Sequence, residues 1–231
     1  MAQRVAMESA QQGSRIRSPW LRQLLADWSS DERAFRVSWS KAMMWIFLLS
    51  DTFIFGVFLT MYMAARVSTT APWPDAGEVF ALYVGSTKVP LLLIAIMTVI
   101  LISSSGTMAL AVNYAYRRDR AKTTLFLLLT AALGATFVGM QGFEWTKLIL
   151  EGARPWTNPW GAPQFGAFFV LTGFHGLHVS VGVIILLVVA VQALRGTLER
   201  TQNYQRVEVA GLYWHFVDLV WVFIFAFFYL W

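Results

Sequence analysis

Apolar residues along this chain neither alternate with polar ones nor recur in a narrow stripe. They come in five long runs, separated by short polar stretches. The runs cover about 42–65, 89–112, 123–143, 165–193 and 209–231. A helix needs about 20 mostly apolar residues to cross the hydrocarbon core of a bilayer, and each run has that length. In lipid, only helices and closed barrels satisfy every backbone polar group. A barrel strand alternates apolar and polar residues over about ten positions, which these runs do not. The pattern predicts an all-α membrane protein, with five transmembrane helices in a bundle over residues 41–231.

Residues 1–40 form a polar, basic segment without the early apolar core that a secretory signal peptide needs. The order S-x-x-E at 29–32 has the form of a capping box, so a short surface helix is expected there, leading into the first span. The stretch 144–164 contains Pro155, Pro159 and Pro163 and is expected to be irregular.

Charge gives the spans a direction. Fourteen of the eighteen Lys and Arg fall before the first span, after the second or after the fourth. The remaining four are Arg66, Lys88, Lys147 and Arg154. Lys and Arg accumulate in cytoplasmic loops, so the N-terminus is expected in the cytoplasm and the C-terminus outside. The net charge of +5 then reads as a topology signal and a contact with anionic lipid, with no nucleic acid as partner. Trp39, Tyr62, Tyr114, Tyr116, Trp145, Tyr229 and Trp231 stand near predicted span ends, where amphipathic rings suit the headgroup level.

Composition agrees with a lipid solvent: 57% of residues are hydrophobic and 13% charged, against roughly a quarter charged in soluble domains. There is no cysteine, which excludes disulfides, thiolate nucleophiles, iron–sulfur clusters and Cys-ligated zinc. No phosphate loop, nucleophile elbow or HExxH is present.

Helices in lipid associate through small residues that let backbones approach. Steps of four link Ser103, Thr107 and Ala111 in the second run, and Ala131, Ala135 and Gly139 in the third. Thr172, Gly176 and Ser180 form the same stripe in the fourth. These stripes are expected to face neighbouring helices.

The candidates for chemistry are the polar groups at depth: Asp51, Glu144, His175 with His178, and His215 with Asp218. An ionisable group near the bilayer centre costs about 2.5 kcal/mol or more, so it normally faces protein or water. Each pair is three residues apart and shares a helix face. By rise per residue, Asp51 and Asp218 share a level, and Glu144 lies at the outer mouth of the third span. Three readings stand. Histidines and carboxylates inside a bundle can hold a di-iron or haem centre, but no Glu-x-x-His is present. The histidines can bond between helices and to the carboxyls, fixing the packing, and the residues favour this reading. A buried carboxyl, Asp51 first, can also exchange protons.

Four segments carry a family resemblance. GFHGLHVSVG at 173–182 and LYWHFVDLVWVFIF at 212–225 resemble the two most recognisable motifs of subunit III of the haem–copper terminal oxidases. QGFEW at 141–145 resembles that family's Q-x-F-E-[YW] segment, and WIFLLSDTFIFG at 45–56 its first shared helix. The resemblance covers about residues 40–231. It implies an accessory subunit of a bacterial cytochrome c or quinol oxidase, in the cytoplasmic membrane and without a catalytic centre of its own. It further implies packing against catalytic subunit I, bound phospholipid, and support of proton uptake and sustained turnover. Haem and copper are then expected in partner subunits, with no metal in this chain. Asp51 stands where the family has a buried acid, and Glu144, His175, His178, His215 and Asp218 fall on motif positions. The family's lipid cleft lies between two leading helices and the five shared ones; this chain has the five, and another subunit could supply the pair. Two other readings remain: a subunit-III-like helper of nitric oxide reductase, and a free-standing membrane redox protein with a His/carboxylate metal site.

Overall fold

The computed structural model describes residues 38–84 and 87–230. The basic N-terminal segment, its capping box at 29–32 and Trp231 lie outside the described residues.

Five long helices follow the five apolar runs: α1 (Trp39–Ser68), α3 (Leu92–Tyr116), α4 (Arg120–Leu150), α5 (Ala167–Leu194) and α7 (Gln205–Ile224). All five are long and apolar enough to cross a membrane. The 30 residues of α1 reach about 45 Å at 1.5 Å per residue, more than the hydrocarbon core needs. The short helices α2 (Ala76–Val79) and α6 (Thr197–Thr201) lie in connections, and α7 ends in a π-helical turn over Phe225–Tyr229. The α1–α3 connection also holds an antiparallel hairpin, β1 (Leu82–Val84) with β2 (Thr87–Val89). Its three-residue strands are too short to register as a pattern in the sequence.

Local chemistry sets the ends. Asp119 caps α4, its carboxylate accepting from Lys122 N–H at 3.1 Å. That bond holds the Asp119 carboxyl below the usual carboxylate range. The cap is therefore present at neutral pH and is lost as the pH falls through the lowered value. Gly196 closes α5 with φ +68, a left-handed conformation that glycine adopts without steric cost.

The stretch expected to be irregular from 144 is helical as far as Leu150. Gln141, Glu144 and Leu148 are all buried and continue one helix face, which overrides the prolines further on. Only 151–162 is irregular, before a 3-10 turn opened by Pro163. The Ala162 N–H donates to Pro72 O at 3.0 Å, and Lys147 Nζ to Ala81 O. These bonds tie the two connections together at one end of the bundle. At the opposite end, Tyr116 donates to Glu208, and the Arg118 guanidinium lies over the Tyr204 ring.

α4 packs between α3 and α5, and α7 lies against both α3 and α5. At their meeting point is the Trp214 indole of α7, 1% exposed. A Cβ on Gly134 of α4 would stand 2.3 Å from this ring, and one on Gly182 of α5 at 3.0 Å. The indole Nε1–H donates to Ser104 Oγ of α3 at 2.9 Å. One side chain thereby gauges the approach of three helices. Trp221, two turns on, repeats the bond to α3 by donating to Thr98 Oγ1 at 3.0 Å. By contrast, α1 buries only 17% of its apolar window, against 44% for the helix ending at Tyr229.

Two of the expected stripes are displaced. In α4 the buried face runs through Leu127, Ala131, Gly134, Phe137 and Gln141. Ala135 and Gly139 point outward, and a Cβ on Gly139 would meet nothing within 4 Å. Steps of four advance about 40° beyond a full turn each time, so a stripe anchored at Ala131 leaves the interface. For the same reason Ser103 is exposed while Ser104 is buried; Thr107 Oγ1 meets Thr130 Oγ1 at 2.8 Å, and Ala111 is buried. In α5, Thr172 and Gly176 face α4: Gln141 donates to Thr172 O at 2.7 Å, and a Cβ on Gly176 would stand 2.6 Å from Gln141 Oε1. Ser180 is half-buried and donates to Gly176 O at 2.8 Å. Tyr62 and Tyr229 are also turned inward, each 2% exposed, because their rings complete an aromatic cluster with Phe228.

Gly134→Leu should disrupt the bundle, since overpacking typically costs about 1–3 kcal/mol and here meets a ring with no free side. Gly139→Leu should leave the isolated chain within about 0.5 kcal/mol. Thermal unfolding of the purified chain in mild detergent checks both, and equal losses would place the interface on the wrong face.

Candidate functional site: a buried polar seam

The polar groups at depth form a seam along α5 and α7 rather than one cluster. Its first element is the pair Asp51–His178. Phe55, one turn beyond Asp51, packs on His178, Phe174 and Phe216. These rings bring α1 against α5 and α7. Asp51 is 4% exposed, and its Oδ2 lies 3.1 Å from His178 Nε2.

The other nitrogen of His178 fixes the chemistry. Nδ1 lies 2.9 Å from Phe174 O. A carbonyl only accepts, so Nδ1 carries a hydrogen. The Nε2–Oδ2 contact is then bonded only if it holds a proton, on the imidazole as an ion pair or on the carboxyl as a neutral pair. With no proton there, a lone pair would face a carboxylate. The pair therefore retains one proton that either partner can own. Tyr213 OH donates to His178 O at 3.0 Å, which ties the same turn of α5 to α7.

His175 is fully buried, between the rings of Phe137 and Trp221. Its Nε2 donates to Val217 O at 3.1 Å, and its buried Nδ1 has no partner. Nδ1 is then the unprotonated nitrogen of a neutral ring. His215 Nδ1 lies 2.6 Å from Ser105 Oγ of α3. Asp218, expected to share a level with Asp51, does not meet it; it sits beside His215 and Ser105. The two acids have separate partners on different helices.

Glu144, expected at the mouth of the third span, is instead 3% exposed and inside α4. The reason is the extra helix beyond 143. Tyr229 OH, from the π-helical turn, donates to its carboxylate at 3.4–3.5 Å.

Among the described residues, no three His, Asp or Glu side chains converge as metal ligands. His175 in particular is walled by rings, one nitrogen committed to a carbonyl. This donor set does not fit a haem or metal ion, and no step is routed through one here. Several partners of the seam carried no sequence signal: Phe174 O, Val217 O and His178 O are backbone groups that any residue would supply. Ser104, Ser105 and Thr98 are single hydroxyls whose helix phase alone decides their role.

Comparison with known proteins follows the same segments. The family profile described as "Cytochrome c oxidase subunit III" matches residues 18–231. The chain belongs to the cytochrome c oxidase subunit III family. Among its relatives is "Probable quinol oxidase subunit 3" of Staphylococcus aureus (strain USA300), 32% identical over 197 residues, 85% of this chain and 90% of that protein. Another is "Cytochrome c oxidase subunit 3" of Bacillus sp. (strain PS3), 33% identical over 186 residues, 80% of this chain and 83% of that one. This subunit III is thus a multi-pass membrane protein of a terminal oxidase family.

The pair should behave as a unit. Asp51→Ala or His178→Ala leaves a buried polar group unpaired, at a cost of about 1–3 kcal/mol each. The double variant should cost less than the sum, and Asp51→Asn, which keeps an acceptor, less than Asp51→Ala. A double-mutant cycle on thermal stability checks this; strict additivity would mean that the two side chains do not interact.

Proposed function

We propose that this subunit III serves a bacterial haem–copper oxidase as a non-catalytic accessory, in the cytoplasmic membrane with its N-terminus inside. It packs on the catalytic subunit, retains phospholipid and supports proton uptake and sustained turnover. The single observation that carries the proton role is the Asp51–His178 pair, which the Nδ1–Phe174 bond obliges to hold one proton. A carboxyl and an imidazole sharing a proton can accept or pass one without either group moving. That suits a proton reservoir beside a proton-consuming enzyme.

Orientation and lipid rest on charge. Arg117, Arg118, Arg120 and Arg195 lie at the end where the α3–α4 turn meets the α5–α7 connection. Basic residues favour the cytoplasmic side and attract anionic headgroups, at about 1 kcal/mol per charge near the surface. The large exposed apolar faces, including Phe53, Leu177 and Ile184, suit acyl chains or other subunits.

The direct test is purification in mild detergent through a C-terminal tag, with reduced-minus-oxidised spectra of the complex and of the isolated chain. Haem in the complex and none in the chain is expected; haem or stoichiometric metal in the isolated chain would reverse the assignment. Within the complex, Asp51→Ala should leave assembly nearly intact and shorten the turnover lifetime severalfold. Unchanged turnover over thousands of cycles would remove the proton role.

A further inference from the structure

A furrow of about 530 Å³ runs between α1 and α7. Its walls are mostly apolar, with Leu48, Phe55, Phe216 and Leu219 among them. His215 is the one ionisable side chain in that wall. Its Nδ1 is engaged by Ser105, and among the described residues nothing bonds its Nε2. Asp218, one turn along α7, is only partly buried, and its Oδ1 has no hydrogen-bond partner. The spanning segment Gln205–Tyr229 has 25 residues, so both groups stand near its middle. Hydrocarbon offers no donor to either one, and ionisable side chains at this depth normally face protein or water.

The opposite wall is shaped for backbone. Thr52 and Gly56 line the furrow, and Thr60 continues the step of four; all three are exposed. Both threonine hydroxyls bond to carbonyls of their own helix, Leu48 O and Gly56 O. A Cβ on Gly56 would meet nothing within 4 Å. A small stripe whose polar atoms are already satisfied admits another helix at close range. An acyl chain would cover the apolar walls yet leave His215 and Asp218 against hydrocarbon. A helix with one polar residue covers both.

We propose that this furrow seats a membrane-spanning helix of a partner oxidase subunit, whose hydrogen-bond-donating side chain (hydroxyl, amide or cationic) meets His215 and Asp218. The inference rests on the reading that this chain assembles with other oxidase subunits. It adds which face they use and what chemistry they present there.

The test is photocrosslinking in the intact complex in native membranes. Leu219 is replaced by a benzophenone-bearing residue, with Leu177 on α5 as the control position. The expected adduct at 219 is a peptide from a spanning segment of another oxidase subunit. An adduct with lipid only, with a second copy of this chain, or no adduct overturns the proposal. A second measurement uses glycines that have open space in the isolated chain. Gly56→Leu should lower the amount of that subunit retained on purification at least about fivefold, a loss of about 1 kcal/mol by RT ln 5, while Gly142→Leu should not. Equal retention of the two overturns it. If the unmodified chain carries no haem-containing subunit, both readings fall; if haem is retained and the adduct is lipid, only the furrow assignment falls.

Discussion

The indole of Trp214 sets the spacing of this bundle. Lipid removes most of the hydrophobic drive between helices, so shape and a few hydrogen bonds must select the arrangement. Gly134 and Gly182 remove the side chains that would occupy the ring's place, and Ser104 takes its N–H. Each contact is on a different helix. A shift of α3, α4 or α5 by even one residue would either collide with the ring or leave a buried N–H unpaired. Trp221 with Thr98 holds the same pair of helices two turns further on. The other packing, including Phe137 against Trp221 and Gln141 against Thr172, fits around a geometry that is already constrained.

α1 stands outside that arrangement. It is held by side-chain tips: rings at Phe47, Phe55 and Tyr62, and the carboxyl of Asp51. A helix attached in this way gains little from its own backbone contacts, so one polar bond carries unusual weight. It also explains why the proton-bearing pair and the furrow both border α1. A tightly packed helix would leave room for neither. The pairing of function with loose packing is familiar in physical terms, because buried polar groups cost stability and persist where their chemistry is used.

The seam assigns different tasks to residues of the same type. His175, neutral and walled by rings, fixes α5 to α7 through Val217 O. His178, with both nitrogens engaged, holds a proton against Asp51. His215 presents one nitrogen to Ser105 and the other to the furrow. The first is structural, the second suited to proton exchange, and the third suited to recognition. Membership of the subunit III family is consistent with all three, since such a subunit must fold, adjoin a proton-consuming reaction and bind neighbours.

Hydrophobic run length alone determined the number of spans and their centres, because lipid demands about 20 apolar residues whatever the neighbours are. The motifs around His175, His178, His215 and Asp218 likewise gave the family and the residues that matter. Helix ends were less legible: α4 passes 143 because Gln141, Glu144 and Leu148 find buried partners, which no local signal announces. Packing faces were legible only in part. Gly134 and Gly139 look alike in sequence, yet one meets an indole and the other meets no part of this chain. Pairings were not legible at all: that Asp51 meets His178 rather than the acid at its own level, and that Glu144 meets Tyr229, depends on how the helices are rotated. Sequence specifies the solvent a segment needs, because that is a property of the segment. Which side chain faces which is a property of several helices at once, and only their joint packing decides it.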